Sequence, residues 1–379
     1  MGTTLSYWEK ASFFTFDIGI IGSGIVGLTA AIALKQQYKN LSVAIFERGF
    51  LPSGASTKNA GFACFGSISE LIEQEKSIGS DGLHRLIEKR WKGLLKLRKL
   101  VSDQNLSYKN YGGFELFKPT EDDLATACVA KIDHFNQLIE DIIPGSKSFG
   151  LAGDKVNTFG FKGIETLIEN QHEGQIDTGK MMKHLLQLAS SLGVVLYTSC
   201  PIEKISEEER HQILSTPHGP FKCTSVLLAN NAFINELLPE IDVVPGRGQV
   251  LITKPIKKLR IKGTFHYDKG YYYFRNIDDR ILLGGGRNLA FKEEQTATFG
   301  TTLIIRKALE QLLRETILPD IPFEIETSWS GIMGFGKQID PIVRQIKPGI
   351  FCAVRCNGMG IAMGSQTGQD AAELILNSL

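Results

Sequence analysis

The chain has 379 residues and a formal net charge of +1, from 42 lysines and arginines against 41 aspartates and glutamates. This length predicts two domains or one large domain with an elaboration, and 42% apolar residues supply a substantial core. The near-neutral charge argues against a nucleic-acid-binding protein, because the phosphate backbone requires a basic surface. Glycine is in excess at 39 residues, which indicates many tight turns or many close approaches of the backbone to a ligand.

The sequence carries no pattern typical of export, membrane insertion or metal binding. Its N-terminus lacks a basic segment followed by an apolar one, and the apolar stretch 16–34 is interrupted by glycines, as in a buried strand followed by a helix. The six cysteines form no CxxC pair and the seven histidines form no HxH or HExxH motif. We therefore expect a cytoplasmic protein with reduced thiols, no transmembrane segment and no metal site, and the oligomeric state is left open.

The first fifty residues follow the order strand, glycine turn, helix, strand. Residues 17–21 are apolar, residues 22–27 have the spacing GxGxxG, residues 28–36 carry Ala, Leu and Ile at helical spacing, and residues 41–46 form a second apolar run that ends before Glu47. Continuously apolar strands are typical of parallel sheets that are buried on both faces. The segment therefore predicts a βαβ unit.

Helices and paired short strands follow along the chain. The remaining predicted elements are, in order, helix 69–103, helix 174–192, strand 193–198, the short strands within 203–228, 243–254, 263–275 and 280–287, helix 296–315, strand 323–330, strand 350–354 and helix 361–377. Because parallel-type elements occur at both ends and antiparallel strands lie between them, we expect an α/β fold. Its parts are a doubly wound, Rossmann-like nucleotide domain and a second, α+β domain built on an antiparallel sheet.

The glycine motif has the context that dinucleotide binding requires. It follows an apolar strand and opens a helix, and Glu47 lies twenty residues after Gly27 at the end of the second strand. Gly22 permits the tight turn, Gly24 lets the backbone approach a pyrophosphate, and Gly27 lets the helix pack closely on the sheet. Glu47 can accept hydrogen bonds from a ribose. The alternative is a glycine turn in another α/β protein with a surface glutamate.

The segment 54–62, GASTKNAGF, bears on the choice between NAD and FAD, which share this motif. It lies just beyond the second strand, where a cofactor longer than adenosine would continue. Small residues and a Ser/Asn pair suit a backbone that lines a ribityl chain and a flavin edge. A glycine loop without a ligand is the alternative interpretation.

Together these motifs resemble the FAD-dependent amino-acid and amine oxidoreductases, a family that includes D-amino-acid oxidase, glycine oxidase and sarcosine oxidase. The resemblance extends over nearly the whole chain, and the form GASxxNAGF with Asn230-Asn231-Ala232 is most similar to the γ-glutamylputrescine oxidase branch. Matching segments are IIGSGIVGLTAAIAL, FERG, EGQIDTGKMMKHLLQLASSLGV, SVLLANNAFINELLP, VVPGRGQV, YYYFRNIDDRILLGGG, SWSGIMGFGKQIDPIV and GIFCAVRCNGMGIAMGSQTGQDAAELI.

The resemblance implies an FAD-binding domain over 15–90, 151–232 and 339–379, a substrate-binding domain over 91–150 and 233–338, and an N-terminal arm at 1–14. It also implies non-covalent FAD, since no histidine follows the GAS motif. A cysteinyl link through Cys356 or Cys64 is the alternative to a role of these residues as small buried thiols. The implied cofactor contacts are Gly22, Ser23, Gly24, Ile25, Val26, Gly27, Glu47, Arg48, Gly54, Ala55, Ser56, Lys58, Asn59, Ala60, Gly61, Ile202, Ala229, Asn230, Arg355, Asn357, Gly358, Met359, Gly360 and Ile361.

The chain departs from the family at the expected substrate contacts. Glycine and D-amino-acid oxidases carry an arginine after the WxG segment that binds the substrate carboxylate, and Met333 stands at that place here. A thioether cannot form a bidentate clamp, so another cation replaces the arginine or the substrate lacks that carboxylate. The candidate cations are Arg275, Lys337 and Arg355. Arg355 stands where the family often has glycine. Two roles stay open for it: contact with the substrate or flavin, or an ordinary loop arginine without a ligand.

Residues 271–274 form an aromatic run on a predicted strand, and their side chains alternate between its two faces. One face is expected to contact the substrate, and packing alone is the alternative role. The candidate substrate contacts are Tyr272, Met333 and Arg355, and the candidate catalytic residues are Arg355, Tyr272 and Lys337. No general base is named, because flavin chemistry on a neutral amine does not require one.

The expected activity is oxidation of a C–N bond in an amino acid or amine by hydride transfer to flavin, followed by hydrolysis of the imine. Oxygen or another acceptor would then receive the electrons. Two alternatives stay open at this point. One is an FAD-dependent 2-hydroxy-acid dehydrogenase, and the other is a degenerate FAD-binding protein.

Overall fold

The computed structural model describes residues 5–143 and 147–378, which divide into two compact units. Unit 1 contains residues 5–57, 179–245 and 333–378, and unit 2 contains residues 58–143, 147–178 and 246–332. Residues 1–4 of the predicted N-terminal arm and residues 144–146 of the predicted substrate domain lie outside the described residues.

Strands and helices are distributed along the whole of the described chain. The strands are β1 (Thr15–Ile21), β2 (Val43–Phe46), β3 (Phe62–Ala63), β4 (Gly113–Phe117), β5 (Phe149–Leu151), β6 (Thr166–Asn170), β7 (Gly174–Gln175), β8 (Val195–Tyr197), β9 (Lys204–Glu208), β10 (His211–Ser215), β11 (Phe221–Leu228), β12 (Val244–Thr253), β13 (Thr264–Tyr267), β14 (Tyr272–Ile277), β15 (Arg280–Gly285), β16 (Ile325–Phe335), β17 (Ile342–Lys347) and β18 (Ile350–Val354). The α-helices are α1 (Tyr7–Phe13), α2 (Ile25–Gln37), α3 (Ile68–Val101), α4 (Asp103–Leu106), α5 (Asp122–Ala130), α6 (Ile132–Leu138), α7 (Asp154–Phe159), α8 (Thr178–Ser191), α9 (Leu303–Leu312) and α10 (Gly360–Leu376).

Unit 1 is built on a sheet with the strand order β17-β18-β11-β1-β2-β8, to which β10 and β9 are added beside β11. The pairs β18–β11, β11–β1, β1–β2 and β2–β8 are parallel, and β17 is antiparallel. After β1 the chain forms β2 on one side of β1, and later it forms β11 on the other side of β1. A doubly wound sheet of this kind binds ligands at the carboxyl ends of its strands where the order reverses. The predicted α/β fold is confirmed.

Helices α2 and α10 pack closely against each other in unit 1. A Cβ at Gly368 would lie 2.6 Å from the carbonyl oxygen of Val26 and 2.1 Å from Thr29 Oγ1, so a side chain there would separate the helices. The helix α2 is buried almost all round, and the central strand β1 is buried along most of its length. The glycine motif is therefore held on a rigid base.

Unit 2 contains a mixed, mostly antiparallel sheet in the order β16-β12-β15-β14-β13-β4-β6-β5, and a separate pair formed by β3 and β7. One face of the large sheet, which we call the α9 face, packs Phe265, Phe274 and Leu283 into a core with Ile305 and Leu309 of α9. The opposite face, which we call the Ala60 face, presents Val250, Tyr273 and Leu282 to a cluster that includes Ala60 and Trp329. Successive strand residues alternate between these faces.

The boundaries of the two units differ from those of the predicted domains. Residues 58–90 and 151–178 belong to unit 2, whereas the sequence assigns them to the cofactor domain. One reason is that α3 continues from Ile68 to Val101 and bends only at Gly79, whose φ of 69° interrupts the helical backbone. A boundary at residue 90 would cut this helix. The assignment of a function to each unit stays a prediction.

Two predicted helices are shorter than expected. The predicted helix 296–315 begins only at Leu303 and ends in a π-helical turn, Leu313–Ile317, because threonines and Gly300, whose φ is 145°, occupy its first part. The predicted helix 174–192 begins at Thr178, since Gly174 and Gln175 pair with β3. In the described part of the chain, no helix combines the length and apolarity needed to cross a bilayer.

The described part of the N-terminal arm belongs to unit 1. The ring of Phe14 stacks on Phe221 at 4.6 Å, and the Tyr197 hydroxyl donates to the carbonyl of Phe13. Tyr7 and Trp8 of α1 remain 74% exposed. The arm is thus anchored by Phe14, and its first aromatic pair faces solvent.

Candidate active site

The glycine turn of unit 1 has the close backbone packing that the motif predicts. Gly22 has a φ of 106°, and a Cβ on it would lie 2.9 Å from the carbonyl oxygen of Ala229. A Cβ at Gly27 would lie 2.0 Å from the carbonyl oxygen of Gly22. The turn delivers the chain into α2 at Ile25, with Gly24 as the N-cap residue and no capping side chain of its own. The Ile25 N–H at this end donates to the Ser56 hydroxyl, and the positive end of the helix favours an anion such as a pyrophosphate.

Glu47 ends β2 and is only 6% exposed. Its Oε2 accepts hydrogen bonds from the Ser23 hydroxyl at 2.6 Å and the Ser23 N–H at 3.3 Å. Its Oε1 accepts from the Gly49 N–H at 2.9 Å and the Ser53 hydroxyl at 3.3 Å. A carboxylate has about four acceptor sites. A ribose hydroxyl would therefore take the place of one of the two serine hydroxyls.

The neighbouring residues of unit 1 complete the predicted adenosine contacts. Arg48 lies with its guanidinium 3.6 Å above the Phe233 ring and contacts the Glu236 carboxylate at 3.4 Å. Ile202 packs against the core beneath the sheet. Asn230 follows β11, and its buried Oδ1 has no hydrogen-bond partner in the described structure. That free acceptor fits a site where a ligand hydroxyl or a water supplies the proton.

The segment 54–61 crosses from one unit to the other. Gly54 and Ala55 lead into a short 3-10 turn, and the Ser56 hydroxyl accepts the N–H of Ile25 at 2.9 Å within unit 1. Within unit 2, the Lys58 carbonyl accepts the indole N–H of Trp329 at 3.0 Å. Asn59 Oδ1 accepts the Gly61 N–H and the Thr178 hydroxyl at 2.8 and 2.9 Å. Both parts of the segment are thus fixed by the chain's own bonds.

Arg275 supports the same segment from inside unit 2. It is 5% exposed, and its Nη1 donates to the carbonyls of Gly61 and Ile176 at 3.1 and 2.9 Å. Burial lowers the pKa of the Arg275 guanidinium to about 10, so the group stays charged at neutral pH. Arg275 is therefore buried and does not lie on the surface of its strand. It acts on the backbone of the predicted cofactor segment.

The last predicted contact is the loop that opens α10 in unit 1. Asn357 and Gly358 have φ values of 46° and 82°, and the Asn357 amide donates to the carbonyls of Gln338 and Ile339 at 3.0 and 2.7 Å. The N-cap residue Met359 supplies no capping bond, and a Cβ at Gly360 would meet open space. The N-terminus of α10 is therefore accessible to a group with negative charge.

Arg355 precedes that loop and is 3% exposed. Its Nη1 donates to the carboxylate and carbonyl of Asp242 at 2.8 and 3.0 Å, and its Nε and Nη2 donate to the carbonyl of Asp340. All three guanidinium nitrogens are engaged within unit 1. The geometry supports a structural role over the predicted contact with substrate or flavin.

Two further candidates, the cation Lys337 and the thioether Met333, also lie in unit 1. Lys337 is exposed, and its backbone N–H donates to the Asp242 carboxylate at 3.1 Å. Met333 is half-buried, with its sulfur 3.9 Å from the position of a Cβ on Gly358. Met333 therefore adjoins the predicted flavin loop.

The structure places Tyr272 on the α9 face, where it is 9% exposed and its ring lies 5.8 Å from that of Tyr267. Tyr273 is the residue on the Ala60 face, with its ring 5.9 Å from Phe62. Prediction of Tyr272 as a substrate contact conflicts with this position, because the register of β14 against β13 and β15 turns it into the core. The alternation of side chains along the strand predicts two faces. The pairing with the neighbouring strands determines which face each tyrosine occupies.

Unit 2 contains a buried polar cluster on its Ala60 side that the sequence did not predict. Ligand atoms of Cys64, Glu173 and His266 lie within 4.8 Å of one another. Burial lowers the pKa of His266, but the carboxylates of Glu173, Glu70 and Glu115 outweigh burial and raise it to about 9. Burial raises the pKa of the Cys64 thiol well above its ordinary value. These residues are 93 or more positions apart, so no local motif signals them.

Known proteins resemble the chain over nearly its full length. The family model for FAD dependent oxidoreductases matches residues 17–374. Glycine oxidase from Geobacillus kaustophilus is 23% identical over 95% of this chain and 93% of that protein. L-2-hydroxyglutarate dehydrogenase from Homo sapiens is 23% identical over 76% of this chain and 64% of that protein.

Solved structures show the same fold. L-proline dehydrogenase from P. horikoshii superimposes with a TM-score of 0.74 at 20% identity, covering 96% of this chain and 94% of that one. Glycine oxidase from Bacillus cereus superimposes with a TM-score of 0.75 at 16% identity, covering 96% and 98%. The family match, the doubly wound unit with its glycine turn, and the glutamate after β2 agree with one another, and the chain belongs to the FAD-dependent oxidoreductase family of D-amino-acid oxidase.

Proposed function

We propose that this FAD-dependent oxidoreductase oxidises the C–N bond of an amine or amino acid. When bound, the flavin supplies the acceptor for a hydride from the carbon beside nitrogen. Water then hydrolyses the resulting imine. The chain contributes binding, orientation and a dry surface.

The observation that carries the proposal is the composition of the Ala60 face. The cluster around Ala60 consists of Val250 and Leu282 with the partly buried Phe62, Ile252, Tyr273, Ile277 and Trp329. Tyr273 is its titratable member, and burial raises the pKa of Tyr273 to about 12, so its hydroxyl stays neutral. A neutral amine needs no base to give up its hydride, whereas an alcohol must also lose its hydroxyl proton. His266 lies beside Phe62 on this side and is bound to Glu173. Burial lowers the pKa of His266, but Glu173 and the neighbouring carboxylates raise it to about 9, so the imidazole is protonated at neutral pH and does not serve as a base. The Ala60 face therefore favours the amine.

The two candidate arginines donate to groups of the protein itself, which disfavours a bidentate clamp on a substrate carboxylate. Arg355 is bound to Asp242 and Asp340, and Arg275 donates to two backbone carbonyls. Lys337 is the exposed candidate, and an ammonium binds a carboxylate as a point charge. We infer that the substrate is an amine without an α-carboxylate, or an amino acid whose carboxylate is held by one lysine.

We further propose that the cofactor is held by the residues that the sequence predicts. In unit 1 these are the turn 22–27, Glu47, Arg48, the residues 54–56, Ile202, Ala229, Asn230 and the loop 357–361. The positive N-terminal ends of α2 and α10 would favour the diphosphate and the charge of reduced flavin, respectively. Non-covalent binding is expected, and release of the flavin into the supernatant on acid precipitation tests it.

A second candidate function is oxidation of a 2-hydroxy acid. It is supported by the resemblance to L-2-hydroxyglutarate dehydrogenase of Homo sapiens. The relatives that act on amino acids cover more of this chain, as glycine oxidase does at 95%.

Anaerobic flavin reduction with matched substrate pairs separates the two. The pairs are alanine with lactate and glutamate with 2-hydroxyglutarate. γ-Glutamylputrescine and N-methyl amines are added as amines that carry no carboxylate on the oxidised carbon. Bleaching of the oxidised flavin band by amines, with a rate that rises with pH as the amine loses its proton, is expected. Bleaching by the hydroxy acids alone would overturn the proposal. Peroxide formation on admitting air then distinguishes an oxidase from a dehydrogenase.

A further inference from the structure

The buried cluster beneath β3 unites side chains from three separate elements of unit 2. Cys64 follows β3, Glu173 precedes β7, and His266 lies on β13. Their exposed fractions are 7%, 1% and 7%. The thiol sulfur, a carboxylate oxygen and an imidazole nitrogen lie within 4.8 Å of one another. Sulfur, nitrogen and oxygen from three elements form a donor set typical of zinc.

Only part of the Glu173 carboxylate is satisfied by the described residues. One oxygen accepts from the Thr264 hydroxyl at 3.0 Å and lies 3.1 Å from His266 Nε2. The other oxygen, Oε1, is buried without a hydrogen-bond partner. A buried carboxylate oxygen without a partner is costly, and a cation or a water is the group that would satisfy it.

The surroundings carry more acidic than basic groups. The carboxylates of Glu70, Glu115 and Glu173 all act on His266, and Arg90 is the further cation that acts on Cys64. Glu115 is 3% exposed and accepts from the Ser69 N–H at 3.1 Å. Three carboxylates face one imidazolium and one guanidinium. These surroundings favour a cation over an anion at the cluster.

A cavity of about 10 Å³ adjoins the cluster and is lined by Glu115, Glu173 and His266 together with Ser67 and Asn170. Ser67 Oγ and Asn170 Nδ2 are also buried without partners. A volume of roughly 10–15 Å³ holds one water. The rest of the lining is largely apolar and includes Ile68, Phe114, Phe149 and Ile168. The cavity thus has the size for a single water, and Glu173 and His266 are among the polar groups that such a water would meet.

We propose that Cys64, Glu173 and His266 bind a divalent cation of the zinc class, with one water as its fourth ligand. Entry of Zn²⁺ displaces the proton of the His266 imidazolium and the proton of the Cys64 thiol. Two positive charges enter and two leave, so the charge of the buried cluster is unchanged. No electron is transferred. The ion joins the β3–β7 pair to β13 of the large sheet, whatever substrate the enzyme oxidises.

The test begins with the zinc content of the purified holoenzyme. After incubation with Zn²⁺ and extensive dialysis, elemental analysis is expected to give one zinc per chain for the parent protein. The variants Cys64→Ser and Glu173→Gln should lose most of it, whereas Cys200→Ser, which removes a buried thiol in unit 1, should retain it. Equal zinc in Cys64→Ser and the parent protein, or none in either, would overturn the proposal.

A second measurement uses only the parent protein, so that it holds even if a variant fails to fold. Calorimetric titration with Zn²⁺ should report binding of one ion per chain. Substitution with Co²⁺ should give the visible bands of a tetrahedral thiolate site at wavelengths longer than flavin absorbs. No heat and no cobalt band would mean that His266 and Glu173 form an ion pair with water only.

Discussion

Arg355 combines an unfavourable backbone with a favourable side chain. Its φ of 69° lies in the left-handed region, where glycine is preferred and another residue costs about 1 kcal/mol. Its guanidinium offsets this cost through Asp242 and Asp340. The family often has glycine at this point, and the ion pair explains how an arginine is tolerated here.

We expect Arg355→Ala to lower the stability of unit 1 by about 1–3 kcal/mol, because the buried pair is lost while Asp242 stays partly hydrated. Arg355→Gly should lose less, by roughly 1 kcal/mol, since glycine relieves the backbone. Thermal unfolding of both variants measures the difference, with KM for the best substrate as a control. A large rise in KM without loss of stability would instead identify Arg355 as a substrate contact.

Two adjacent tyrosines are expected to respond differently to loss of their hydroxyls. Tyr273 lies on the Ala60 face, and Tyr272 is packed in the α9 core. A hydrogen bond from Tyr273 to substrate would contribute about 0.5–1.5 kcal/mol, so Tyr273→Phe should slow anaerobic flavin reduction roughly threefold to tenfold. Tyr272→Phe is the matched control and should leave that rate unchanged. The reverse pattern would contradict the assignment of the faces.

At the scale of elements, Glu75 connects α3 to α6 and to Lys131, which lies between α5 and α6. Its carboxylate contacts His134 at 2.7 Å, Lys131 at 3.1 Å and the Ser80 hydroxyl at 2.8 Å, across the bend at Gly79. Burial raises the pKa of Glu75, but the hydrogen bonds from His134, Ser80 and Lys131 outweigh it and lower the pKa to about 2.

A carboxylate with a lowered folded-state pKa stabilises the protein above its unfolded pKa, and this contribution is lost as the pH falls toward the folded value. We expect Glu75→Gln to destabilise the protein by about 1–2 kcal/mol at pH 7, after allowance for screening by solvent. The difference in melting temperature between variant and parent should shrink as the pH falls from about 5 to about 3. A difference that stays constant over this range would mean that the carboxylate charge contributes nothing.

At the scale of the whole molecule, FAD binding is expected to be linked to thermal stability. A ligand at one hundred times its Kd stabilises the folded state by about 2.7 kcal/mol. Adding FAD to deflavinated protein should therefore raise the melting temperature by several degrees. Gly27→Ala should abolish the rise, because its Cβ would lie 2.0 Å from the Gly22 carbonyl oxygen.

Gly153→Ala is the matched control for that experiment. A Cβ at Gly153 meets no atom within 4 Å, and its φ is −59°. This variant should bind FAD as the parent does, which is checked by the flavin absorbance that remains after gel filtration. A thermal shift that survives in Gly27→Ala would place the cofactor away from the glycine turn.

The sequence predicted the parts of the fold that depend on neighbouring residues. Gly22, Gly27 and Glu47 lie within one βαβ unit, and its short-range geometry allowed the turn and the acidic residue to be placed. The family resemblance extended this to the whole fold. The bend at Gly79 was missed, because a left-handed glycine leaves the helical pattern of charges and apolar residues on both sides unchanged.

Contacts between distant residues could not be predicted in the same way. Arg355 and Asp242 are 113 positions apart, and nothing near either residue signals the other. Tyr272 and Tyr273 differ only in the face that they occupy, which depends on the pairing of β14 with β13 and β15. Cys64, Glu173 and His266 meet only once three elements are assembled.

The indole of Trp329, which donates to the Lys58 carbonyl at 3.0 Å, makes the enzyme's own fluorescence informative. Oxidised flavin absorbs where tryptophan emits, so energy transfer should quench Trp329 when FAD occupies the segment 58–61. Trp8, at 74% exposure, should contribute a solvent-shifted emission. Comparing the parent with Trp329→Phe during FAD titration would therefore follow cofactor loading in real time, without substrate or added dye.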